Sequence, residues 1–279
     1  MKNLIYRTLS GILFVVVLAG AVFLSDAREN PIWSIVVMSV FLCVSLLELK
    51  NIVHHSLKKA VFLSALGEVF FIASVLAFNM NDMKWWALLY FMFVISLLCL
   101  VLIGRKIDTH KFAFTFTASL YIIIPFIFFI SYFDISQSLG FRMFVIPLCH
   151  FVTLWTGDTF AYLVGSLTGK HKMLPKVSPK KSWEGFFGGL VAVVVLGFLF
   201  DRWFPCEAVA CNDVFWFVFV LIIYFTGTLG DFMESFVKRV VNVKDSGNFM
   251  PGHGGAIDRF DSFLLSVPFV TIFLLTLIL

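Results

Sequence analysis

The segment SFLLSVPFVTIFLLTLIL, residues 262–279, is a mainly apolar run of 18 residues without a charged side chain. Because a helix needs about 20 such residues to cross a bilayer, the run predicts a membrane-spanning helix. Eight earlier runs have the same character: 9–25, 32–48, 60–79, 85–104, 113–132, 142–166, 184–200 and 213–230. With 60% hydrophobic and 14% charged residues, the chain lacks the polar surface of a soluble protein. The sequence therefore predicts an all-α, polytopic integral membrane protein with nine transmembrane helices.

Basic residues are distributed unevenly among the predicted loops. If the N-terminus is cytoplasmic, 17 of the 21 Lys and Arg residues fall on the inner side. The four on the outer side are Arg28, Lys84, Arg142 and Arg202. This distribution follows the positive-inside rule, and it predicts a bacterial inner-membrane protein with its basic loops in the cytoplasm. The formal charge of +4 then indicates contact with anionic lipid head groups and excludes a nucleic-acid partner.

The chain divides into two predicted regions. Residues 1–140 carry five spans with short loops and serve as a lipid-facing scaffold, whereas 141–279 carry four spans and the polar loops 167–183 and 231–261. The first 27 residues also fit a signal peptide cut after Ala27, the alternative being an uncleaved signal anchor. Glu68, within the third span, either packs as a protonated acid or lines a cavity.

Two cysteines lie close together in a predicted outer loop. Cys206 and Cys211 occur in WFPCEAVACND, between the seventh and eighth spans. They either form a small disulfide on an oxidising side of the membrane or remain free thiols, and their spacing fits no metal site.

The first polar cluster is TLWTGDTFAYLVGSLTGKHK, residues 153–172. A helix over 153–169 would align Asp158, Tyr162, Gly165 and Gly169 on one face. Asp158 either packs against a neighbouring span or faces a polar site. The two glycines favour close helix approach over phosphate binding.

The second cluster is GKHKMLPKVSPKKSWEGFFGG, residues 169–189, a basic loop predicted to be non-helical. Ser182 can cap the following helix, and Glu184 in its first turn opposes the positive end of the helix dipole. Ser178, Lys180 and Lys181 either form a fixed anion site or belong to an ordinary positive-inside loop.

The third cluster begins where the eighth span continues as GDFMESFVKRVV. Helical spacing places five polar residues on one stripe: Asp231, Glu234, Ser235, Lys238 and Arg239. The alternative to a functional stripe is a solvated helix face with a Glu234–Lys238 ion pair.

A glycine-rich turn follows this stripe and precedes the last span. Pro251, Gly252, Gly254 and Gly255 exclude a regular helix and let the backbone approach a ligand. Asp258, Arg259 and Asp261 come next. Carboxylates suit Mg²⁺, and Lys and Arg suit phosphate, so the stretch predicts a metal-assisted phosphate site at head-group level. His253 either pins the turn or donates to a phosphate.

These clusters resemble the phosphatidate cytidylyltransferase family, also called CDP-diacylglycerol synthase. The family signature runs S-x-φ-K-R with φ apolar, four residues, K-D, a small residue, then P-x-H-G-G and D-R-φ-D. The chain reads SFVKRVVNVKDSGNFMPGHGGAIDRFD over 235–261, with Met250 and Ala256 where larger residues are usual. SPKKSWEG, 178–185, resembles a second family segment, with Ser182 in place of the commoner Thr. The resemblance is strong over 150–279 and rests only on hydrophobicity before that.

The resemblance implies that CTP and phosphatidate react to give CDP-diacylglycerol and pyrophosphate with Mg²⁺, and it leaves open whether a second cation binds beside it. Catalysis would come from charge neutralisation and in-line positioning. The implied metal ligands are Asp231, Asp258 and Asp261. The implied catalytic residues are Asp231, Lys238, Arg239, Lys244, Asp245, Asp258 and Arg259. The implied substrate-binding residues are Asp158, Ser178, Lys180, Lys181, Ser235, His253, Gly254 and Gly255.

Other partners and functions remain open at this point. Membrane lipids are expected partners, and the sequence leaves open whether the chain forms a homodimer. A CTP-dependent kinase of a long-chain alcohol such as a polyprenol would release CDP instead of pyrophosphate. A lipid-binding transporter is disfavoured because the polar residues gather on one side of the late helices and not at the bilayer midplane.

Overall fold

A computed structural model describes residues 2–52, 109–205, 214–240, 243–249 and 254–278. These ranges contain seven helices and one two-stranded sheet. The helices are α1 (Lys2–Ala27), α2 (Ile32–Ile52), α3 (Thr109–Ser138), α4 (Val145–Thr168), α5 (Trp183–Trp203), α6 (Phe215–Val240) and α7 (Ile257–Ile278). The strands are β1 (Lys172–Leu174) and β2 (Ser178–Ser182).

Six of the seven described helices are long and apolar enough to cross a membrane, which confirms a helical integral membrane protein. The helix that is not among them is α4, which coincides with the predicted run 142–166 but carries His150 and Asp158. The predicted runs 60–79 and 85–104, with Glu68, lie outside the described residues, as do Cys206 and Cys211.

The helices from α3 to α7 form a connected bundle. Helix α4 packs along α5, and α6 packs along α7. The two pairs are joined because α5 also contacts α6, and because α3 contacts both α4 and α7. At its centre, the rings of Phe151 and Phe263 stack with centroids 5.6 Å apart and planes 6° from parallel. The helices α1 and α2 pack on each other, and α2 also packs on α3.

Small residues allow α4 and α5 to approach closely. The Cα atoms of Gly165 and Gly185 face each other, so a side chain at either position would meet the opposite backbone. This confirms the predicted role of Gly165. Gly169 instead ends α4, and its N–H donates to the carbonyl of Gly165 at 3.1 Å.

The basic loop contains a β-hairpin that the all-α prediction did not include. Strands β1 and β2 are antiparallel, with Lys172 opposite Ser182 and Leu174 opposite Ser178. The hairpin is short because β2 leads directly into α5. The predicted cap is confirmed, since Gly185 N donates to Ser182 Oγ at 3.2 Å.

The last helix begins earlier than its apolar run. Helix α7 starts at Ile257, so Asp258, Arg259 and Asp261 lie in its first turns and not in the loop before it. The physical reason is local, because Asp258 Oδ2 accepts a hydrogen bond from Gly255 N at 2.8 Å and so satisfies a backbone donor at the helix start. Apolar length alone could not reveal this charged first turn.

Candidate active site

The polar stripe at the end of α6 faces the protein interior. Glu234 is 6% exposed, and the side chain of Lys238 is 12% exposed. By contrast, Met233 and Phe236 point outward, with 49% and 55% of their surface exposed. The end of α6 therefore has its charged side inside and apolar side chains outside. The alternative of a solvated Glu234–Lys238 face is wrong, although the ion pair itself exists.

Lys238 joins two acids at the centre of the site. Its Nζ lies 2.6 Å from Glu234 Oε2 on the same helix and 2.7 Å from Asp258 Oδ1 on α7. Charge-assisted contacts of this length are strong, and little water reaches them. Lys238 therefore ties α6 to the first turn of α7.

Asp258 also holds the loop between α6 and α7, described over residues 243–249 and 254–256 and called the signature loop below. Its Oδ2 accepts hydrogen bonds from the backbone N–H groups of Ser246 at 2.9 Å and Gly255 at 2.8 Å. Between these residues the chain passes through Gly254, whose φ of +87° lies in the left-handed region. Any side chain there would be strained, which explains the glycine.

The hairpin reaches the same site from the other side. Lys181 Nζ of β2 lies 2.5 Å from Asp231 Oδ2 and 4.6 Å from the ring centroid of Phe232. Ser235 Oγ donates to Asp231 Oδ1 at 3.2 Å. Arg239 Nε approaches the carbonyl of Val177 at 3.5 Å. The structure thus brings the second and third polar clusters together.

Three aspartates from three helices share this region. Asp158 of α4, Asp231 of α6 and Asp261 of α7 interact electrostatically with one another. Asp158 also interacts electrostatically with the positive charges of Lys181 and Arg259. Asp261 Oδ1 also accepts from Ser262 N at 2.6 Å. Asp158 therefore faces the acidic and basic groups of the site, which is one of the two alternatives predicted for it.

Other predicted site residues lie around this centre with freer side chains. Lys180, Lys244, Asp245 and Arg259 are exposed, whereas Ser178 is half-buried in β2. Gly255 is buried against Ser246 and Glu48. His253 lies outside the described residues. The structure thus separates a buried, ion-paired centre from exposed basic groups near it.

The predicted metal ligands fit Mg²⁺ by donor type. Asp231, Asp258 and Asp261 offer carboxylate oxygens, which hard cations prefer. Two of them contact lysine ammonium groups, Asp231 through Lys181 and Asp258 through Lys238. The carboxylates of Asp231 and Asp258 therefore each contact a cationic group in this structure. In the part of the chain that the structure describes, no three His, Cys, Asp or Glu side chains converge as a preformed metal cage.

Two further buried acids belong to this site: the sequence patterns placed Glu234 on the polar stripe without giving it a role, and they did not assign Glu48 to the site. Glu234 pairs with Lys238, and Glu48 of α2 accepts hydrogen bonds from Ser246 and Ile257. The signal for Glu48 was weaker than the signal for Glu68, because Glu48 lies at the end of the predicted span 32–48, where an acid is less costly than in the middle of a span. Its partners could not be inferred from the sequence, since they lie 198 and 209 residues away.

Fold and site together define a helical membrane protein with paired acids and bases at one end of its late helices. The chain matches the model of the cytidylyltransferase family over residues 5–277, and it belongs to that family. It is a nucleotidyltransferase, as its resemblance predicted.

Curated relatives cover most of the chain. It is 31% identical to the phosphatidate cytidylyltransferase of Staphylococcus epidermidis over 247 residues, which are 86% of this chain and 90% of the relative. It is 32% identical to the enzyme of that name from Staphylococcus aureus over 243 residues, 83% of this chain and 87% of the relative. For the Bacillus subtilis enzyme, identity is 39% over 173 residues, 61% of each chain.

Proposed function

We propose that this chain transfers the cytidylyl group of CTP to phosphatidate, giving CDP-diacylglycerol and pyrophosphate for phospholipid biosynthesis. Two relatives that carry this name match 86% and 83% of the chain. The observation that carries the proposal is the meeting of the second and third polar clusters, in which Lys181 contacts Asp231 and Lys238 contacts Asp258. The residues of both family segments would therefore line one site.

The proposed chemistry needs no general base on the protein. An ionised oxygen of the phosphatidate phosphate attacks the α-phosphorus of CTP, and the bond from that phosphorus to the bridging oxygen breaks to release pyrophosphate. The main obstacle is repulsion between two anions. Preorganised positive charge lowers this barrier because it costs no reorganisation during the reaction.

The basic residues of the site would supply that charge. Lys238, Arg239, Lys244 and Arg259 would hold the phosphates, and Ser178, Lys180 and Lys181 would form the opposite wall. Mg²⁺, held by Asp231, Asp258 and Asp261, would offset the charge of the triphosphate. Since Lys181 and Lys238 now contact carboxylates, arriving phosphates would compete for their ammonium groups.

The proposal includes a topology that suits a lipid substrate. The nine-span arrangement with a cytoplasmic N-terminus would place the site on the cytoplasmic face of a bacterial inner membrane. The acyl chains of phosphatidate would stay in the bilayer while its phosphate enters at head-group level. Residues 141–279 would carry the chemistry and 1–140 the scaffold, and two copies would form a homodimer.

The test is a single product analysis. Purified protein in detergent micelles is incubated with radiolabelled CTP, Mg²⁺ and phosphatidate. Lipid-linked cytidylate and pyrophosphate are the expected products. Release of CDP with phosphorylation of a long-chain alcohol, supplied in place of phosphatidate in a parallel reaction, would instead identify a lipid kinase, and the absence of labelled lipid with phosphatidate would overturn the proposal.

One substitution tests the role of Asp258. Asp258→Asn keeps the shape of the side chain but removes its charge. We expect Mg²⁺-dependent turnover to fall by about a hundredfold or more, as for loss of a preorganised charged group. Near-normal turnover in folded protein would contradict the assignment.

A further inference from the structure

The first half of the chain contributes a buried carboxylate to the signature loop. Glu48 lies near the end of α2 and is 6% exposed. Its Oε2 accepts hydrogen bonds from Ser246 Oγ at 2.9 Å and from Ile257 N at 3.2 Å. A residue from the predicted scaffold region therefore contacts both sides of the glycine-rich turn.

The loop is shaped around this side chain. A Cβ added at Gly247 would collide with Glu48, whose atoms are its three nearest neighbours. A Cβ at Gly255 would collide with Glu48 and with Ser246 Oγ. Because the backbone passes so close to the carboxylate at two points, these glycines are needed for contact with Glu48 and not for flexibility.

Glu48 also acts on the start of α7. Ile257 is the first residue of that helix, and the first N–H groups of a helix have no partner within it. A carboxylate placed there satisfies one of them and interacts favourably with the helix dipole. Glu48 is thus a helix cap supplied by a distant part of the chain.

Glu48 and Asp258 hold the same loop residue from two directions. Ser246 donates its hydroxyl to Glu48 and its backbone N–H to Asp258. Lys244 lies two residues before Ser246, and Arg259 lies two residues after Ile257. A shift of Ser246 and Ile257 would therefore move Lys244, Asp258 and Arg259 relative to the end of α6.

We propose that Glu48 is a positioning residue for the cytidylyltransfer reaction. It holds residues 243–249 and the first turn of α7 in the arrangement that presents Lys244, Asp258 and Arg259 to the substrates. It acts through hydrogen bonds to Ser246 and Ile257 and does not contact the reacting phosphates. This inference rests on the proposed function.

Kinetics of three variants test it. Glu48→Ala removes both hydrogen bonds, and we expect kcat to fall by about ten- to a hundredfold, as misplacement of reacting groups does, with a smaller change in KM. Glu48→Gln keeps an acceptor oxygen of the same reach and should retain most of the turnover. Ser45→Ala is the matched control, because Ser45 is buried one turn away and donates within its own helix, to Phe41 O at 2.8 Å. It should retain wild-type turnover.

A structural readout accompanies the kinetics. In Glu48→Ala, backbone hydrogen exchange should accelerate in peptides covering 243–262 and stay unchanged in peptides from α5. In addition, Gly247→Ala should impair wild-type protein strongly and a Glu48→Ala background much less, since the side chain it would strike is gone. Independent effects of the two substitutions would overturn the contact on which the proposal rests.

The outcomes separate this proposal from the function itself. If wild-type protein forms no lipid-linked cytidylate, the proposed function fails. If wild-type protein is active and Glu48→Ala is equally active, or if Glu48→Gln loses as much as Glu48→Ala, only the positioning role is overturned. Should Glu48→Ala not fold, Glu48→Asp replaces it, because the shorter acid withdraws from both donors and should lower kcat while relieving Gly247→Ala.

Discussion

At the scale of single residues, Lys238 is the side chain of the described site whose burial depends most on its ion-pair partners. Its ammonium group contacts Glu234 and Asp258, and both acids are mostly buried. Burial of three charges is tolerable only while the positive charge remains between the two negative ones. Lys238 therefore supports the fold of the site as well as its proposed chemistry.

Replacing Lys238 should cost both stability and activity. Lys238→Met would leave Asp258 and Glu234 without their cation, and we expect destabilisation of about 3–5 kcal/mol, as for breaking a buried ion pair. Thermal unfolding in detergent and turnover of CTP measure the two effects.

Lys244 offers a comparison within the same signature. Its side chain is exposed, so Lys244→Met should lower turnover while leaving the unfolding temperature close to that of wild-type protein. Equal stability of the two variants would show that the Lys238 pair contributes nothing to the fold.

At the scale of elements, the site depends on close packing of α4 against α5. Gly165 and Gly185 bring the two backbones together, and α5 begins directly after the strand that carries Lys181. The distance between these helices therefore affects where β2 meets Asp231. Interhelical packing of small residues is a common solution in membranes, where lipid offers no hydrophobic force between helices.

A methyl group at this crossing should separate the helices. The Cβ of Gly185→Ala would lie 2.5 Å from Ala161 O, a backbone atom that cannot rotate away. We expect destabilisation of about 1–3 kcal/mol, as for overpacking in a core, measured by thermal unfolding. Gly20→Ala is the control, since no atom of the described residues lies within 4 Å of its added Cβ, and it should not destabilise the protein. A harmless Gly185→Ala would contradict this account of the crossing.

At the scale of the whole molecule, the described helices define two ends. Arg142, before α4, pairs with Asp26 at the end of α1, while Glu48 at the other end of α2 contacts the signature loop. The hairpin meets α6 at the signature end. Because a helix that crosses the bilayer places its ends on opposite sides, the site and Arg28 should face opposite compartments.

Cysteine labelling tests this sidedness. Lys176→Cys, in the hairpin turn, and Arg28→Cys, after α1, are placed in a background lacking native cysteines. An impermeant maleimide should label Arg28→Cys in intact cells and Lys176→Cys only after membrane permeabilisation. Labelling of both from one side would contradict the proposed topology.

Much of the site could be predicted because its residues are close in sequence. Asp231, Lys238 and Asp258 lie within one stretch of the chain, and helical spacing alone aligns the first two on one face. The inward direction of the stripe could not be predicted, since an amphipathic helix has the same period whether its charged side faces water or a pocket. The β-hairpin was missed because the five lysines and two prolines of residues 167–183 suggested only a basic loop.

By itself, the sequence determined the membrane class, the family and most charged groups of the candidate site, because apolar length, charge distribution and a dense polar motif are local properties. Tertiary structure decided which groups meet. Only packing of α2, α6 and α7 brought Glu48 to Ser246 and Lys238 to Asp258. The physical reason is that a buried charge needs a partner, while the sequence does not show which distant segment will supply it.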